Sequence, residues 1–190
     1  MNLFGIRKSP ITNPADFQYL YEHHRLAVFR YIYGLTGGPQ EEAEDLTAET
    51  FLRAWKARHR FEGEIESAIG WLLKIAKRLV IDGYRRSSRR TPSGPSDLVL
   101  ESTPEQVALS AEQKIFLFRL MEELSGEQRE LLILRYMLGW RVTDIAAHLS
   151  MTENNISVII HRTLSKLRER WMDYDAESMS VIFVTKEKVS

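Results

Sequence analysis

The 190-residue chain contains no cysteine, and that absence removes disulfides, thiol catalysis and cysteine-ligated zinc together. It also lacks any apolar run approaching the roughly 20 residues a membrane-spanning helix needs, and its start, MNLFGIRKS, carries no signal-peptide core. The expected location is the cytoplasm, without membrane insertion. Net charge is missing too: 26 Lys and Arg balance 26 Asp and Glu. A neutral chain, taken alone, argues against nucleic acid. What the sequence does have is apolar material, 44% of its residues, enough to bury a core in one medium domain or two small ones.

The neutrality hides an uneven distribution. Residues 1–91 hold 15 basic and 11 acidic side chains, 92–130 hold 3 and 8, 131–172 hold 6 and 3, and 173–190 hold 2 and 4. Two basic blocks therefore flank an acidic connector, and an acidic tail follows. Such asymmetry can present two positive surfaces to one polyanion.

Hydrophobic periodicity is helical throughout. FQYLYEHHRLAVFRYIYGL repeats apolar residues at three- and four-residue steps up to the breaker Gly37-Gly38-Pro39. A second helix over Glu41 to Arg58 puts Ala43, Leu46, Thr47, Thr50, Phe51, Ala54 and Trp55 on one stripe. A third, from about Ala68, buries Trp71, Leu72, Ile75, Ala76, Leu79 and Val80, and the polar segment Glu62 to Ser67 separates the two. TPSGPSD, residues 91–97, reads as a flexible linker. Beyond it, Leu109, Ile115, Phe116 and Leu120 recur at helical spacing, followed by helical stretches over Glu127 to Met137, Val142 to Leu149 and Thr152 to Trp171. The last two, joined by Ser150-Met151, have helix-turn-helix spacing. The β-branched tail SMSVIFVTKEKVS reads as a short strand or a packed extension. The expected fold class is all-α, with two small helical domains, 14–90 and 105–171, a linker over 91–104 and an extension over 172–190.

Three groups of residues stand out. On the third helix Lys74, Lys77 or Arg78, and Arg85 recur away from the apolar stripe, and Arg86, Arg89 and Arg90 extend the charge, so that residues 71–91 hold seven bases and one acid, Asp82. Neutralising phosphates releases condensed counterions, which is why such a face binds nucleic acid; the ordinary alternative is a solvated helix face. On the second helix Asp45, Ala48, Glu49, Leu52, Arg53 and Lys56 share the side opposite the stripe, a mixed face suited to docking on another protein's helices. Asp45 and Glu49 with His23 or His24 would be the makings of a metal site, but no second carboxylate–His motif accompanies them and solvated acids are the stronger reading. The loop Phe61 to Ser67 beside the basic helix suits a pocket for an unstacked base. In the last helix, Thr152 is a good N-cap, and Asn154 and Asn155 carry amides able to pair with adenine edges.

EDLTAETFLRAW followed by RFEGEIESAIGWLLKIAKRLVIDGYRRSSRR resembles region 2 of the extracytoplasmic-function (ECF) sigma factors of bacterial RNA polymerase. LSGEQRELLILRYMLGWRVTDIAAHLSMTENNISVIIHRTLSKLRE resembles their region 4. The resemblance implies a non-catalytic promoter-specificity subunit, without cofactor or metal, that binds core RNA polymerase through its β′ clamp helices and its β subunit, together with promoter DNA, under the control of an anti-sigma factor. It implies core docking by Asp45, Glu49, Leu52 and Arg53. It implies −10 element contact and melting by Trp71, Lys74, Lys77, Arg78, Asp82, Arg85, Arg86 and Arg89, with Glu62 to Ser67 near a captured base. It implies −35 reading by Thr152, Asn154, Asn155, Ser157, Val158, His161, Arg162 and Lys166, with Asp144-Ile145-Ala146 in the supporting helix.

The chain departs from the family pattern in several places. Ala48 replaces a Gln, Ala68 an aromatic, Arg78 an Asn and Arg141 a Ser cap, so the supporting helix is expected to start less firmly. Ser157 and Ile159 stand where Lys and Arg are usual, which predicts weak, salt-insensitive −35 contact. A second account has Val181-Ile182-Phe183-Val184 fold back over Val158 and Ile159 and mask the reading helix; the stronger, more ordinary expectation is that the tail packs elsewhere or stays disordered. Two other classes remain: a free-standing helix-turn-helix regulator, which would leave the Asp45 to Lys56 face without a purpose, and the metal-dependent hydrolase around His23, His24, Asp45 and Glu49.

Overall fold

The structure is a computed structural model describing residue 11 and residues 13–87 and 111–187, with the side chains of 84–87, 111, 114 and 175–187 excluded. The expected linker 91–104, with Arg89, Arg90 and Leu109, lies outside the described residues, as do the side chains of Arg85 and Arg86. Among the described residues there are helices and turns and no strand.

The first group has three helices. Helix α1 spans Pro14–Thr36, opened by Asn13, whose side chain accepts from the Ala15 amide at 3.0 Å, and closed by Gly37, whose N–H returns to the Tyr33 carbonyl. Pro14 suits the first turn because its missing N–H would have no partner there. Helix α2, Gln40–Ala57, buries Ala43, Thr47, Thr50, Phe51 and Ala54. Its two buried threonines bond back to the carbonyls of Ala43 and Leu46, both at 2.7 Å, so neither hydroxyl is left unpaired. Helix α3, Ile69–Ser87, buries Leu72, Leu73, Ala76, Leu79 and Val80. Phe17 of α1 sets its ring edge-on to both Phe51 and Trp55 of α2.

The second group begins with α4, Ala111–Glu122. Ser125 and Gln128 cap one another's amides to start α5, Gly126–Leu132, which widens into a π turn over Ile133–Met137 closed by Leu138 N–H on the Ile133 carbonyl. Helix α6, Val142–Leu149, and the start of α7, Glu153–Glu187, form the helix-turn-helix. Arg141 has no side-chain oxygen to accept from the first-turn amides of α6. Asp144 accepts from the Arg141 amide at 3.3 Å and from its guanidinium at 3.0 and 3.2 Å, which pairs the donor of the residue before the helix and not the amides a Ser would have capped. That hydrogen bonding also holds the Asp144 carboxyl below its ordinary range.

At the C-terminus the strand alternative fails, and so does the masking of the reading helix. The tail is no strand: α7 continues unbroken to Glu187, because a helix already nucleated adds a hydrogen bond per residue and carries β-branched residues along. Nor does the tail fold back over the reading helix, since Val181 lies 22 residues beyond Ile159 on one rod, about 33 Å away at 1.5 Å per residue. Before the tail, α7 packs on α4. Phe116 stacks on Tyr174 with ring centroids 4.0 Å apart and tilts against Trp171 at 5.9 Å, while Arg170 pairs with Glu123 at 3.1 Å.

The two groups share one core. A Cβ on Gly34 of α1 would stand 2.8 Å from the Ile133 side chain, so the π turn reaches α1 only because position 34 lacks a side chain. Tyr33 meets Phe118 edge-on, and Arg129 donates to the Leu35 carbonyl at 2.9 Å.

Candidate nucleic-acid interface

The basic flank of α3 follows from its periodicity. With Leu72, Leu73, Ala76 and Val80 facing inward, Lys74 and Arg78 are exposed, and Lys77, Trp71 and Asp82 lie at the margin, half-buried. Trp71 packs its ring 5.1 Å from that of Phe61 at the foot of the loop. The loop itself is a single tight turn, Ile65–Ser67, tied by the Ser67 hydroxyl to the Glu64 carbonyl at 2.8 Å. His24 of α1 lies behind it against the Ile65 backbone; burial holds its imidazole below the ordinary value, and Nε2 finds no partner among the described residues.

Lys77 is not free. Its ammonium sits 2.6 Å from Glu130 of α5, whose other oxygen accepts from the Tyr31 hydroxyl at 2.6 Å. Tyr31 is fully buried and Glu130 is 2% exposed. A carboxylate that deep persists only with strong partners, and it has one from α1 and one from α3. Burial and Glu130 together push the Tyr31 phenol far up, so it remains a donor at every ordinary pH. Beside this cluster His148 of α6 sits on Gly70 of α3 and turns edge-on to Trp140.

The α2 face presents Asp45, Ala48 and Leu52 to solvent, Leu52 being 47% exposed. Glu49 and Arg53 pair along the helix at 2.7 Å. Tyr21 of α1 borders the face, its ring against Phe51 and 44% exposed. His23 does not join Asp45 and Glu49: its ring stacks on Tyr19 and bonds the Tyr19 carbonyl. Among the described residues no three His, Asp or Glu side chains come together in a metal-binding group.

On α7 the hydroxyl of Thr152 accepts from the Asn155 amide at 3.3 Å, as an N-cap should. Asn154, Asn155, Ser157, Val158, His161, Arg162 and Lys166 are all exposed, while Ile156, Ile160 and Thr163 are buried. Ile159 is half-buried and packs inward, so of the two apolar residues on this turn only Val158 faces outward. The reading face is open and carries little charge.

Glu130, Tyr31 and His148 were not singled out in the sequence. The available signal was Glu130 itself, an acid at the head of an otherwise apolar row, Ile133, Leu134 and Met137, at steps of three, four and seven.

Comparison with known proteins meets this geometry twice. Residues 20–90 match the Sigma-70 region 2 family and residues 117–167 match Sigma-70, region 4. Over 152 residues the chain is 30% identical to the ECF RNA polymerase sigma factor SigL of Mycobacterium tuberculosis, covering 78% of this chain and 85% of that one. The chain belongs to the ECF RNA polymerase sigma factors. Its function is that of this family: it binds core RNA polymerase and directs promoter-specific initiation of transcription. SigX of Bacillus subtilis, another ECF factor, is 26% identical over 80% of this chain and 82% of its own. Two solved structures share the fold. One is the sigma factor RpoE in complex with the anti-sigma factor NepR from Bartonella quintana, with TM-score 0.63 and 23% identity over 81% of this chain and 95% of that one. The other is CnrH in complex with the cytosolic domain of CnrY, with TM-score 0.62 and 20% identity over 86% and 92%. No described helix of this sigma factor is long and apolar enough to cross a membrane.

Proposed function

We propose that this sigma factor divides promoter recognition between its two helical groups, with boundaries near 14–90 and 105–171. The α3 flank, Trp71, Lys74, Lys77, Arg78 and Asp82 with the trailing Arg85, Arg86 and Arg89, contacts and opens −10 DNA. The turn at the start of α7, Thr152 to Lys166, reads −35 DNA through Asn154, Asn155, His161 and Arg162, with Ser157 and Val158 against the groove wall. The α2 face of Asp45, Glu49, Leu52 and Arg53 docks on the β′ clamp helices, and the second group meets the β subunit. The observation that carries this reading is the pairing of two solvent-open surfaces of the right chemistry, a basic helix flank and an N-capped reading turn, with the two family regions in order. The protein works in the cytoplasm and performs no chemistry itself; phosphodiester formation belongs to the polymerase. Its regulator is an anti-sigma factor, as in the two complexes of similar fold.

Transcription from a random promoter library by core polymerase, with and without the purified protein, tests this. New start sites sharing −10 and −35 sequences are the expected result. No stimulation, with no co-elution with core polymerase, would overturn it.

A further inference from the structure

We propose that His24 of α1 is a positioning residue for promoter opening: it stands behind the loop Glu62 to Ser67 and holds it by the Ile65 backbone, so that the loop's outer edge is set where an extruded −10 base is taken up. The inference rests on the reading of the α3 flank and its loop as the −10 site, and it adds the residue that fixes the loop in place.

The loop makes its own shape but not its own position. The Ser67 amide and hydroxyl both donate to the Glu64 carbonyl, at 3.0 and 2.8 Å, and the Ala68 amide donates to the Ile65 carbonyl at 3.1 Å. Each of these bonds links residues three apart, so the set would travel with the loop if it swung. The two ends are anchored by Phe61, 6% exposed, and by Ala68, fully buried. A Cβ on Gly63 would stand 3.2 Å from the Phe61 ring, so the chain leaves that anchor in close contact with it. Between the ends Glu62, Glu64, Glu66 and Ser67 are exposed, while Ile65 turns back, half-buried, to pack on the core. Position is therefore decided at Ile65, and His24 meets the Ile65 backbone from α1.

The chemistry of the ring argues against simple filling. A half-buried place between a helix and a loop is filled by Leu or Met without burying a polar atom. His24 instead brings two ring nitrogens, and its Nε2 is buried without a partner among the described residues, a cost that packing does not explain. Burial holds the imidazole below its ordinary value, hence neutral, against an upward pull from the Ile65 backbone, with His23 acting in the same direction as burial. That upward pull is the sign expected of a carbonyl accepting from a ring N–H. The hold is thus made without a cation and leaves the phosphate contacts to α3. A capture site carried on a loop is less precise than one carried on a helix unless the residues behind it lock it. Trp71 and Lys74 have a helix beneath them; the loop takes its rigidity from α1.

The test uses holoenzyme assembled from core polymerase and the full chain, on a promoter drawn from the random library, with 2-aminopurine placed in turn at each non-template position of the −10 element. The fluorescence of this base rises when it leaves the stack, as extrusion requires, and the parent should brighten at least one position. His24→Leu, of similar volume but without either nitrogen, should lower that signal and the rate of opening about three- to tenfold, the net worth of one hydrogen bond. The salt slope of promoter binding and the affinity for −35 duplex should keep their parental values. His24→Gln, which retains an amide donor and acceptor, should restore most of the signal, whereas a residue that only fills space would be replaced better by Leu than by Gln. A His24→Leu protein that brightens the promoter like the parent, or whose losses follow its melting temperature and are no smaller in His24→Gln, would overturn the hold. A parent that brightens no position would overturn the reading of the loop itself, and the inference with it.

Discussion

The −10 flank of α3 and the −35 turn of α7 are opposites. The first has Lys74, Lys77 and Arg78 within one helical turn and then loses one of them to Glu130. The second leaves its reading face in solvent but has Ser157 and Ile159 where Lys and Arg would be expected. Affinity for a polyanion scales with the phosphates neutralised, whereas sequence is read by base-edge contacts. On the proposed reading, one surface carries the charge that would give affinity, part of it engaged by Glu130, and the other is open and poorer in charge.

The largest way to break the comparison is to strip charge from α3. Lys74→Ala with Arg78→Ala, both exposed and outside the core, should lower promoter opening in the holoenzyme by about tenfold or more at moderate salt and flatten the logarithmic salt slope by about 1.5. Permanganate footprinting of the melted segment checks this, and a loss without a change of slope would say that the two cations touch no phosphate.

The converse sharpens the other half. Ser157→Arg with Val158→Lys adds two cations to the open turn, and −35 duplex binding should tighten several-fold with a salt slope steeper by about 2, measured by fluorescence anisotropy. Unaltered affinity would mean that α7 does not lie in the groove. A smaller effect follows from the cap. Thr152→Ala should cost about 1 kcal/mol of helix stability, lowering the melting temperature by about 2–4 °C in a chain of this size; a calorimetric scan reads it.

The smallest effect is on pH. Burial, with Lys74 and Lys77 nearby, holds the His148 imidazole below its ordinary value, against a pull upward from Glu130. The unfolded chain then binds more protons than the folded one as pH falls through the ordinary histidine value, about 6.5. The contribution of His148 to stability is at full strength above that pH, weakens on acidification, and weakens no further once the depressed value is passed. The melting temperature should fall between about pH 7.5 and 5.5, and His148→Gln should reduce that dependence, both read by calorimetry.

Much of this was legible in the chain. Periodicity gave α1, α2, α3 and α6 nearly to the residue, because each has a clean apolar stripe and a breaker or turn at its end. The exposed faces followed by subtraction. The tail misled because Val181 to Val184 have strand propensity, and propensity is a weak term against a helix already under way. The pairing of Asp144 with Arg141 at the start of α6 was not read either, since a comparison position by position does not weigh a partner three residues on. The buried cluster was illegible for a different reason: Tyr31, Lys77 and Glu130 are each ordinary residues on helical faces, and only the approach allowed by Gly34 brings them together.

The unbroken length of α7 has a mechanical consequence. Trp171 and Tyr174 fix the rod on α4, and about 27 Å of helix separate Trp171 from Glu153 at 1.5 Å per residue. A tilt of about 10° at that pivot displaces the far end by about 5 Å, nearly half the ~12 Å width of a major groove. A protein that gripped the helix beyond Trp171 would therefore be expected to shift the turn at Thr152, together with the core residues Ile156 and Ile160, through one unbroken rod.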